Sequence, residues 1–377
     1  MRYIGNKTKL LPFILRAVRR LGIAPGVAHD AFAGTAAVGR ALKRAGWRVA
    51  SSDVMTYSYA FQRAYVVASG VDPVAPVAAA DPELRRALRS DALRRRAAAA
   101  AARANGDGGV PARRLALLGE YLGRWVEPEA GFLTAHFSPT GGRMYFTPEN
   151  AARIDAARRV LHEWRATGLV GEDTYYVLLA AVLEGADRVA NTAGVYAAYI
   201  KQWQPNALRP FAVLPEVPVR GRGSTAHRAD AAEVARALGP VDLLYIDPPY
   251  NARQYASYYH VPEVIARGWF DVVPALRGKT GLLDVDAPRS PWCSARRVRS
   301  ALDELLAASG ARHVLLSYNS EGLLPHADLR ATLRAHAADG LVRRFTLRYK
   351  RYRADRDHER RKYKGDSVRE LLYYIRR

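Results

Sequence analysis

The sequence is nearly free of cysteine. Its 377 residues include one, Cys293, so no disulfide framework and no zinc site with several thiolates can form within the chain. No spacing of histidine, cysteine and carboxylate residues suggests a metal site either, so we expect no metal ion. A chain without disulfides fits a reducing compartment, and the cytoplasm is the expected location.

The sequence also lacks a long apolar run. The apolar stretch at 10–18 is short and contains Pro12 and Arg16, so it fits neither a signal peptide nor a membrane span. We therefore expect no export signal and no membrane partner. Hydrophobic residues make up 49% and charged residues 25% of the chain, which is ordinary globular usage and predicts a folded protein.

Acidic residues are scarce relative to basic ones. The chain has 36 Asp and Glu against 58 Lys and Arg, which gives a formal net charge of +22. A field of this sign concentrates polyanions near the protein, so nucleic acid is the first partner to consider. Charge alone does not decide the matter, because an alanine- and arginine-rich composition from a GC-rich genome would give the same excess.

An alternation of strands and helices marks both ends of the chain. A first amphipathic helix is predicted at 8–21, followed by a strand at 27–32, a small-residue turn at 34–39, a helix at 38–45 and a strand at 47–51. This is the repeating unit of an open parallel sheet, in which ligands bind at the carboxyl ends of the strands. Near the C-terminus, apolar runs predict strands at 241–246, 314–316, 345–349 and 371–375, with a helix at 295–308.

The middle of the chain is predicted to be largely helical. One helix begins at Thr147-Pro148, where threonine suits the N-cap and proline the first helical position, and another is predicted at 173–191. Only a weak strand signal occurs at 144–146. We therefore assign 1–56 and 226–377 to one α/β core and 57–225 to a helical insertion.

Residues 33–39, Ala-Gly-Thr-Ala-Ala-Val-Gly, form a candidate ligand-binding turn. Small residues let a ligand approach backbone N–H groups at the start of a helix, where the helix dipole favours an anion. The turn has neither the Lys-Ser/Thr of a triphosphate-binding loop nor a strict G-x-G-x-x-G pattern. Asp53 follows the next strand about 20 residues downstream, where such folds hold a ribose, so the pair predicts an adenosine-type cofactor. The alternative role for Asp53 is a helix N-cap.

The tetrapeptide Asp247-Pro248-Pro249-Tyr250 directly follows the strand predicted at 241–246. Two prolines cannot continue a sheet ladder and fix φ, so Pro249 stiffens the loop and its carbonyls are free to accept hydrogen bonds. An adenine amine is a poor nucleophile that must pyramidalise to attack a methyl group, and acceptors aimed at both N–H bonds favour that change. We predict that Asp247 and Pro248 are these acceptors and that Tyr250 stacks on an extruded base. The alternative is a strand terminator with a buried aromatic.

These features resemble the D12 class of amino-group DNA methyltransferases, in which a D-P-P-Y tetrapeptide marks N6-adenine enzymes. The resemblance covers nearly the whole chain. It implies a Rossmann-like α/β core that binds S-adenosylmethionine, with a mostly parallel sheet, an antiparallel C-terminal strand and a largely helical insertion for target recognition. It also implies S-adenosylhomocysteine as product and double-stranded DNA, with one adenine flipped out, as substrate.

The resemblance assigns cofactor-binding residues as well. Tyr-Ile-Gly-Asn-Lys at 3–7 is similar to the family's N-terminal cofactor motif, and Asp-Ala-Phe-Ala-Gly-Thr at 30–35 to its main one. Ala36 stands where relatives commonly have a further glycine. Asp230 is similar to the acid that contacts the cofactor adenine, with a helix cap as its alternative, and 317–320 is similar to a loop lining the target-base pocket. The predicted cofactor-binding residues are Tyr3, Lys7, Asp30, Phe32, Gly34, Thr35, Asp53 and Asp230.

Polar and basic residues in three segments are candidate DNA contacts. Loops at 251–255 and 191–203 resemble those of D12 enzymes from restriction–modification systems, which implies a cognate restriction endonuclease as partner and a prokaryotic cytoplasm, at the nucleoid, as location. In the D12 enzymes that the chain resembles, the position of the basic segment 343–364 is a hairpin beside the flipped base, which implies phosphate contacts; a solvated basic hairpin is the alternative. The predicted DNA-binding residues are Asn251, Arg253, Gln254, Tyr255, Lys201, Lys350, Arg351 and Arg353.

Rival activities stay open at this point. The same chemistry would methylate adenine N6 in RNA or cytosine N4 in DNA, and a catalytically lapsed chain would only bind DNA. Cytosine C5 methylation is disfavoured, because it needs a thiolate nucleophile, usually after proline, whereas Cys293 follows Trp292.

Overall fold

A computed structural model of the chain describes residues 1–103, 109–284, 289–350 and 367–377. The chain divides into two compact units. The first comprises Met1–Tyr3, Arg63–Arg220 and Ala256–Val285, and the second comprises Ile4–Gln62, Gly221–Tyr255 and Asp286–Arg377. The first unit therefore includes 1–3 and 256–285, two segments outside the predicted 57–225 insertion.

The second unit contains a seven-stranded sheet. Its strands are β1 Val27–Asp30, β2 Arg48–Ser52, β3 Thr225–His227, β4 Pro240–Ile246, β5 Gly310–Asn319, β6 Arg343–Lys350 and β7 Ser367–Arg376. They are ordered β3-β2-β1-β4-β5-β7-β6 across the sheet. The first five strands in this order run parallel to one another, and β7 is antiparallel to both β5 and β6. The predicted mostly parallel sheet with an antiparallel C-terminal strand is confirmed.

Strand β4 is the centre of this sheet and is buried on both faces. Leu243, Leu244, Tyr245 and Ile246 are all at most 1% exposed. Double-sided burial explains the continuous apolar run, because helices cover both faces of a parallel sheet. The helices of this unit are Leu11–Arg20, Ala37–Arg44, Thr56–Gln62, Ala231–Leu238, Val298–Ala308 and His326–Ala335, with 3-10 turns at Thr8–Leu10 and Pro291–Cys293.

The first unit is largely helical, as predicted for this part of the chain. Its α-helices are Val74–Ala80, Pro82–Ala87, Asp91–Arg103, Val110–Glu120, Phe132–Phe137, Pro148–Ala166, Glu172–Val189 and His260–Arg267. The unit also contains π-helical turns at Arg63–Val67 and Tyr121–Trp125, and a 3-10 turn at Pro139–Gly141. Two short strands, Leu276–Arg277 and Leu282–Leu283, form a hairpin. The short helix Tyr255–Tyr258 begins at the last residue assigned to the second unit in this part of the sequence.

In the first unit, the helix start predicted at Thr147 is confirmed, whereas the weak strand signal at 144–146 does not correspond to a strand. Thr147 caps the helix Pro148–Ala166, because its hydroxyl accepts a hydrogen bond from the backbone N–H of Asn150 at 3.2 Å. No strand forms at 144–146, where the sequence carries a weak strand signal. Tyr145 and Phe146 are fully buried there, so their apolar character reflects burial in the helical unit rather than sheet pairing.

Candidate active site at the carboxyl ends of the strands

The second unit gathers polar side chains at one edge of its sheet. Asp30 ends β1, Asp53 follows β2, and the tetrapeptide 247–250 follows β4. Because these strands are parallel neighbours, their carboxyl ends lie side by side. The antiparallel β7 begins at this same edge, and Glu370 on β7 is paired with Asn319 at the end of β5. Chain topology thus brings four acidic residues from distant parts of the sequence to one edge.

The segment 33–39, called the glycine turn below, has the backbone conformation that its small residues favour. Gly34 has φ +53°, which an L side chain adopts only with strain. Ala36 has φ +57° and is the one non-glycine residue with positive φ among the residues that the structure describes. The helix Ala37–Arg44 starts immediately afterwards. The alanine therefore occupies the left-handed conformation that the family's glycine would favour, at a cost of about 1 kcal/mol.

Two carboxylates hold the glycine turn through backbone N–H groups. Asp53 accepts from the N–H of Gly34 and from that of Met55, both at 3.0 Å. The second bond lies in the turn before the helix Thr56–Gln62, and Asp53 stands three residues ahead of the first helical residue rather than at its N-cap. Asp30 accepts from the N–H of Gly39 at 2.9 Å and is 1% exposed. Burial, reinforced by the nearby Asp247 carboxylate, raises the pKa of Asp30 to about 7.

The tetrapeptide places Tyr250 inside the protein. The Tyr250 ring is 8% exposed and meets Tyr318 edge to face, with 5.3 Å between ring centroids. Its backbone carbonyl accepts from the N–H of Leu323 at 3.1 Å, which ties the loop to the segment after β5. The buried-aromatic alternative is therefore realised in this state, and stacking of Tyr250 on a base stays a prediction.

A buried polar cluster surrounds the Tyr250 hydroxyl; the Lys7 cluster denotes Lys7, Asp247, Tyr250, Ser317 and Glu370. The Lys7 ammonium is 3.2 Å from Asp247 Oδ1 and 3.6 Å from Glu370 Oε2, and it donates to the Tyr250 hydroxyl. That hydroxyl donates in turn to Asp247 Oδ1, and Ser317 Oγ lies 3.3 Å from it. Lys7 is 4% exposed, so its charge is neutralised by these partners rather than by solvent.

Burial raises the pKa values of the two carboxyl groups in the cluster, and the Lys7 ammonium opposes this rise. Burial raises the pKa of Asp247, while Lys7 and the Tyr250 hydroxyl act in the opposite direction. Burial likewise raises the pKa of Glu370, again opposed by Lys7. Burial and the Asp247 charge hold the pKa of Tyr250 well above its usual value, so its hydroxyl remains a donor. The cluster thus places two carboxylates against a single ammonium group.

Three predicted cofactor residues of this unit have structural contacts of their own. Phe32 meets Trp292 edge to face at 4.7 Å between centroids. Asp230 caps the helix Ala231–Leu238 by accepting from the N–H of Ala232 at 2.8 Å, which is its alternative role. Thr35 is half-buried in the glycine turn. Contacts of these residues with a cofactor stay predictions.

The loop that follows the tetrapeptide is held partly by its own polar groups. Asn251 accepts from the backbone N–H of Arg253 at 3.0 Å, and Gln254 Oε1 accepts from that of Ser290 at 3.0 Å. The Cys293 thiol donates to the Arg253 carbonyl at 3.2 Å. Among the predicted DNA-binding side chains of this loop, Gln254 thus has its acceptor oxygen engaged within the protein, whereas the Arg253 side chain is exposed.

Cys293 is a buried structural thiol. Burial raises its pKa, so the thiol form prevails at neutral pH. A thiolate nucleophile for cytosine C5 chemistry is accordingly disfavoured by its environment as well as by its sequence context.

The other predicted site residues have contacts outside the glycine turn and the Lys7 cluster, or lie outside the described residues. In the second unit, the Tyr255 hydroxyl donates to the Ile4 carbonyl at 3.3 Å. In the first unit, the Tyr3 ring contacts Tyr259 at 4.7 Å between centroids. The Lys350 side chain, Arg351 and Arg353 lie outside the described residues.

Lys201 lies on a loop of the first unit that Asn191 holds in place. The Asn191 amide donates to the carbonyls of Met144 and Ile200 at 3.0 and 2.8 Å, and its oxygen accepts from the N–H of Gln204 at 3.1 Å. Asn191 is fully buried, whereas Lys201 is exposed. The arrangement presents a basic side chain on a fixed loop.

Glu370 is the member of this site that sequence reasoning missed. It stands at the start of the buried apolar run 371–375 in β7. An acid beside such a run is the signal that could have singled it out, since an isolated buried carboxylate needs a partner.

Two further structural findings concern the whole described chain. Within residues 1–103, 109–284, 289–350 and 367–377, no group of three His, Cys, Asp or Glu side chains is placed to hold a metal ion. None of the helices in these segments combines the length and apolar character of a membrane span.

Comparison with known proteins gives a consistent result. The family model of the D12 class N6 adenine-specific DNA methyltransferases matches residues 3–93 and 118–287. The Type II methyltransferase M.NlaIII of Neisseria lactamica is 32% identical over 383 residues, which covers all of this chain and 99% of that protein. The Type II methyltransferase M.FokI of Planomicrobium okeanokoites is 30% identical, and the modification methylase StsI of Streptococcus sanguinis 28%. This chain spans about half of each of these two, 53% and 52%. No solved structure matches.

Proposed function

Because the chain belongs to the D12 class of N6 adenine-specific DNA methyltransferases, we propose that the glycine turn and the Lys7 cluster together form its active site. In this proposal the enzyme transfers a methyl group from S-adenosylmethionine to the N6 amine of one adenine in a specific DNA sequence. The observation that carries the proposal is the direct pairing of β1 with β4, which sets Asp30 opposite Tyr245, two residues before Asp247. A cofactor turn and an amine-acceptor loop are thereby neighbours on one sheet edge.

The residues of this edge fit S-adenosylmethionine. Asp30, Asp53, Asp247 and Glu370 stand there, while Lys7 is the cation within the Lys7 cluster. Such an acidic edge suits a cofactor that carries a positive sulfonium. The glycine turn and Asp53 would hold its amino-acid and ribose parts, with Phe32 and Asp230 beside its adenosine. When bound, the cofactor would supply the methyl group as an electrophile and, with its sulfur–methyl bond broken, would leave as S-adenosylhomocysteine.

The chain's own contribution to the chemistry is positioning and electrostatic stabilisation. The Asp247 carboxylate accepts one N–H of the target amine and the Pro248 carbonyl accepts the other, which favours the pyramidal amine. As the N6 lone pair forms the new N–C bond, positive charge develops on N6 next to Asp247. The surplus proton then leaves N6 for the Asp247 carboxylate and from there reaches solvent. Pro249 keeps the two acceptors at a fixed separation.

The other members of the Lys7 cluster orient this acceptor. The Tyr250 hydroxyl and the Lys7 ammonium both contact Asp247 Oδ1, so that oxygen is already engaged within the protein. We assign the amine to the remaining carboxylate oxygen. Stacking of the Tyr250 ring on the flipped adenine is part of the proposal, and so is a contact of Lys7 with the cofactor.

Sequence recognition is assigned to the helical unit and to the loop at 251–255. The exposed side chains of Lys201 and Arg253 are candidates for phosphate or base-edge contacts. The predicted core at 1–56 and 226–377 and the predicted recognition insertion at 57–225 belong to the same proposal. The names of the relatives, Type II methyltransferase and modification methylase, support a restriction–modification role in a prokaryotic cytoplasm, with a cognate endonuclease as partner.

Sequencing of methylated DNA tests the proposal. The chain is expressed in a bacterial host without adenine methylation, and its genomic DNA is read by single-molecule sequencing, with an Asp247→Ala variant as control. We expect N6-methyladenine at one short motif, present with the wild-type chain and absent with the variant. N4-methylcytosine, or unmodified DNA together with methylated RNA, would instead support one of the rival substrates.

A further inference from the structure

Glu370 occupies an unusual position for a carboxylate. It lies on β7 between the exposed Arg369 and the buried apolar run 371–375, and it is itself buried. Its Oε2 has less than 1 Å² of exposed surface and no hydrogen-bond partner among the described residues. The 3.6 Å from this oxygen to the Lys7 ammonium is an ion-pair distance, slightly longer than a hydrogen bond.

A buried carboxylate in this position needs a compensating partner. Burial of an ionised carboxylate is unfavourable unless a partner compensates it, and the following residues of β7 are apolar. The single cation beside Glu370 in the Lys7 cluster is Lys7, which also contacts Asp247. Glu370 and Asp247 therefore share the charge of one ammonium group.

We propose that Glu370 is a positioning residue that holds the Lys7 ammonium between two carboxylates and so keeps Asp247 available as an anionic acceptor for the target amine. Without Glu370, Lys7 would pair with Asp247 alone, and the ammonium charge would offset the charge of the still ionised Asp247 carboxylate. The proposal rests on the proposed function, because it assigns Glu370 a part in the same methyl transfer. It adds a residue of β7 to a site otherwise built from the loops after the parallel strands.

Glu370 also changes the net charge that faces the reacting amine. Methyl transfer moves positive charge onto N6, next to Asp247, as the N–C bond forms. With Glu370 ionised, the Lys7 cluster has two negative charges and one positive, so a surplus negative charge faces the developing cation. Replacement of Glu370 by glutamine keeps the shape of the side chain but removes this surplus.

Several titratable or charged groups surround the two carboxylates and enter any pH dependence. Lys7 precedes the first helix, Asp30 ends β1, Tyr245 lies in β4, and Tyr250 follows it. The Asp247 charge raises the pKa of both Asp30 and Glu370, in addition to the effect of burial. The nearby Tyr245 phenol has its pKa held well above the usual value by burial, so it stays neutral.

The test compares single-turnover methylation of DNA, as a function of pH and at saturating cofactor, in the wild type, Glu370→Gln and Glu370→Asp. Glu304→Gln is the matched control, because Glu304 forms an exposed ion pair with Arg236 in the same unit. We expect Glu370→Gln to lower the rate roughly 10- to 100-fold. Loss of the like charge lowers the pKa of Asp247, so the acid limb of the profile moves to lower pH by roughly 1 unit. Glu370→Asp recovers part of both changes, and Glu304→Gln leaves both unchanged.

A second measurement tests whether Lys7 and Glu370 are energetically coupled, while the shift of the acid limb distinguishes the positioning role from a purely structural one. Urea unfolding midpoints are compared for Lys7→Met, Glu370→Gln and the double variant, whose shift we expect to be smaller than the sum of the single shifts. A Glu370→Gln rate and acid limb equal to those of the wild type would overturn the inference. So would a slower rate with an unmoved acid limb, or additive midpoint shifts. A wild-type protein that methylates no DNA would overturn the proposed function itself, and this role with it.

Discussion

The glycine turn and the Lys7 cluster lie at the same edge of one sheet, and both are built around carboxylates. The two regions differ in the groups that serve as partners for these carboxylates. Asp30 and Asp53 accept hydrogen bonds from backbone N–H groups. Asp247 and Glu370 face side chains, namely Lys7 and Tyr250. Backbone partners fix a carboxylate as part of the fold, which suits a binding turn. Side-chain partners can shift when a substrate amine arrives, which suits chemistry.

Substitution of Asp247 should separate the two regions most sharply. We expect Asp247→Ala to lower the methylation rate roughly 1,000-fold or more, because the amine loses its anionic acceptor. Asp247→Asn, which keeps the size, should lose nearly as much. Cofactor affinity, measured by calorimetry, should stay within roughly threefold of the wild type, since the glycine turn is held by Asp30 and Asp53. Comparable activity in either variant would sink the assignment of Asp247.

Asp30 tests how far the two regions are electrostatically linked. Its pKa is raised to about 7, by burial and by Asp247, from an ordinary value of 3.8. Between these values the folded state binds more protons than the unfolded state, so stability falls as pH rises from about 4 to 7. Asp30→Asn should remove that fall, which is on the order of 4 kcal/mol. Urea unfolding of both proteins across this range measures it, and parallel pH dependences would refute the prediction.

Gly34 tests whether the backbone of the glycine turn binds the cofactor. Gly34→Ala should strain the turn by about 1–2 kcal/mol, because φ is +53° there, and weaken cofactor binding roughly 10-fold. Gly239 is a matched control, since it also has positive φ and a side-chain methyl group there would have no atom within 4 Å. Gly239→Ala should lower stability, since φ +67° and ψ −143° are accessible mainly to glycine, without changing cofactor affinity. Equal affinity losses in both variants would contradict a local role for Gly34.

Ala36 gives the smallest expected effect. Glycine relieves the left-handed strain at φ +57° but adds freedom to the unfolded chain, and these contributions oppose each other. Ala36→Gly should therefore change the free energy of unfolding by less than about 1 kcal/mol and leave methylation intact. Calorimetric melting with a parallel activity assay measures both. A large loss of activity would mean that the alanine methyl group itself takes part in cofactor binding.

The parallel core was predictable because its signals are local. A strand buried on both faces must be apolar throughout, so the run at 241–246 identified β4, which the structure bounds as Pro240–Ile246. Acids at strand ends, such as Asp53, could be singled out for the same reason, since strand and loop are adjacent in the sequence. The resemblance to D12 enzymes added Lys7 and Asp30, whose roles no local pattern reveals.

The composition of the Lys7 cluster could not be predicted in this way. Lys7, Asp247 and Glu370 are far apart in the chain, and their proximity depends on β7 lying beside β5 in reversed direction. The strands' apolar patterns do not encode that order. The resemblance implied that Lys7 binds the cofactor, and that contact stays a prediction, but the structure places its ammonium against Asp247 and Glu370.

The central claim is that this chain methylates adenine N6 in DNA through Asp247. Purified protein is incubated with unmethylated duplex DNA and S-adenosylmethionine, the DNA is digested to nucleosides, and the methylated nucleosides are identified by mass spectrometry. We predict N6-methyldeoxyadenosine with the wild type and none above background with Asp247→Ala. Methylated cytosine as the product, or equal N6-methyldeoxyadenosine from both proteins, would contradict the account.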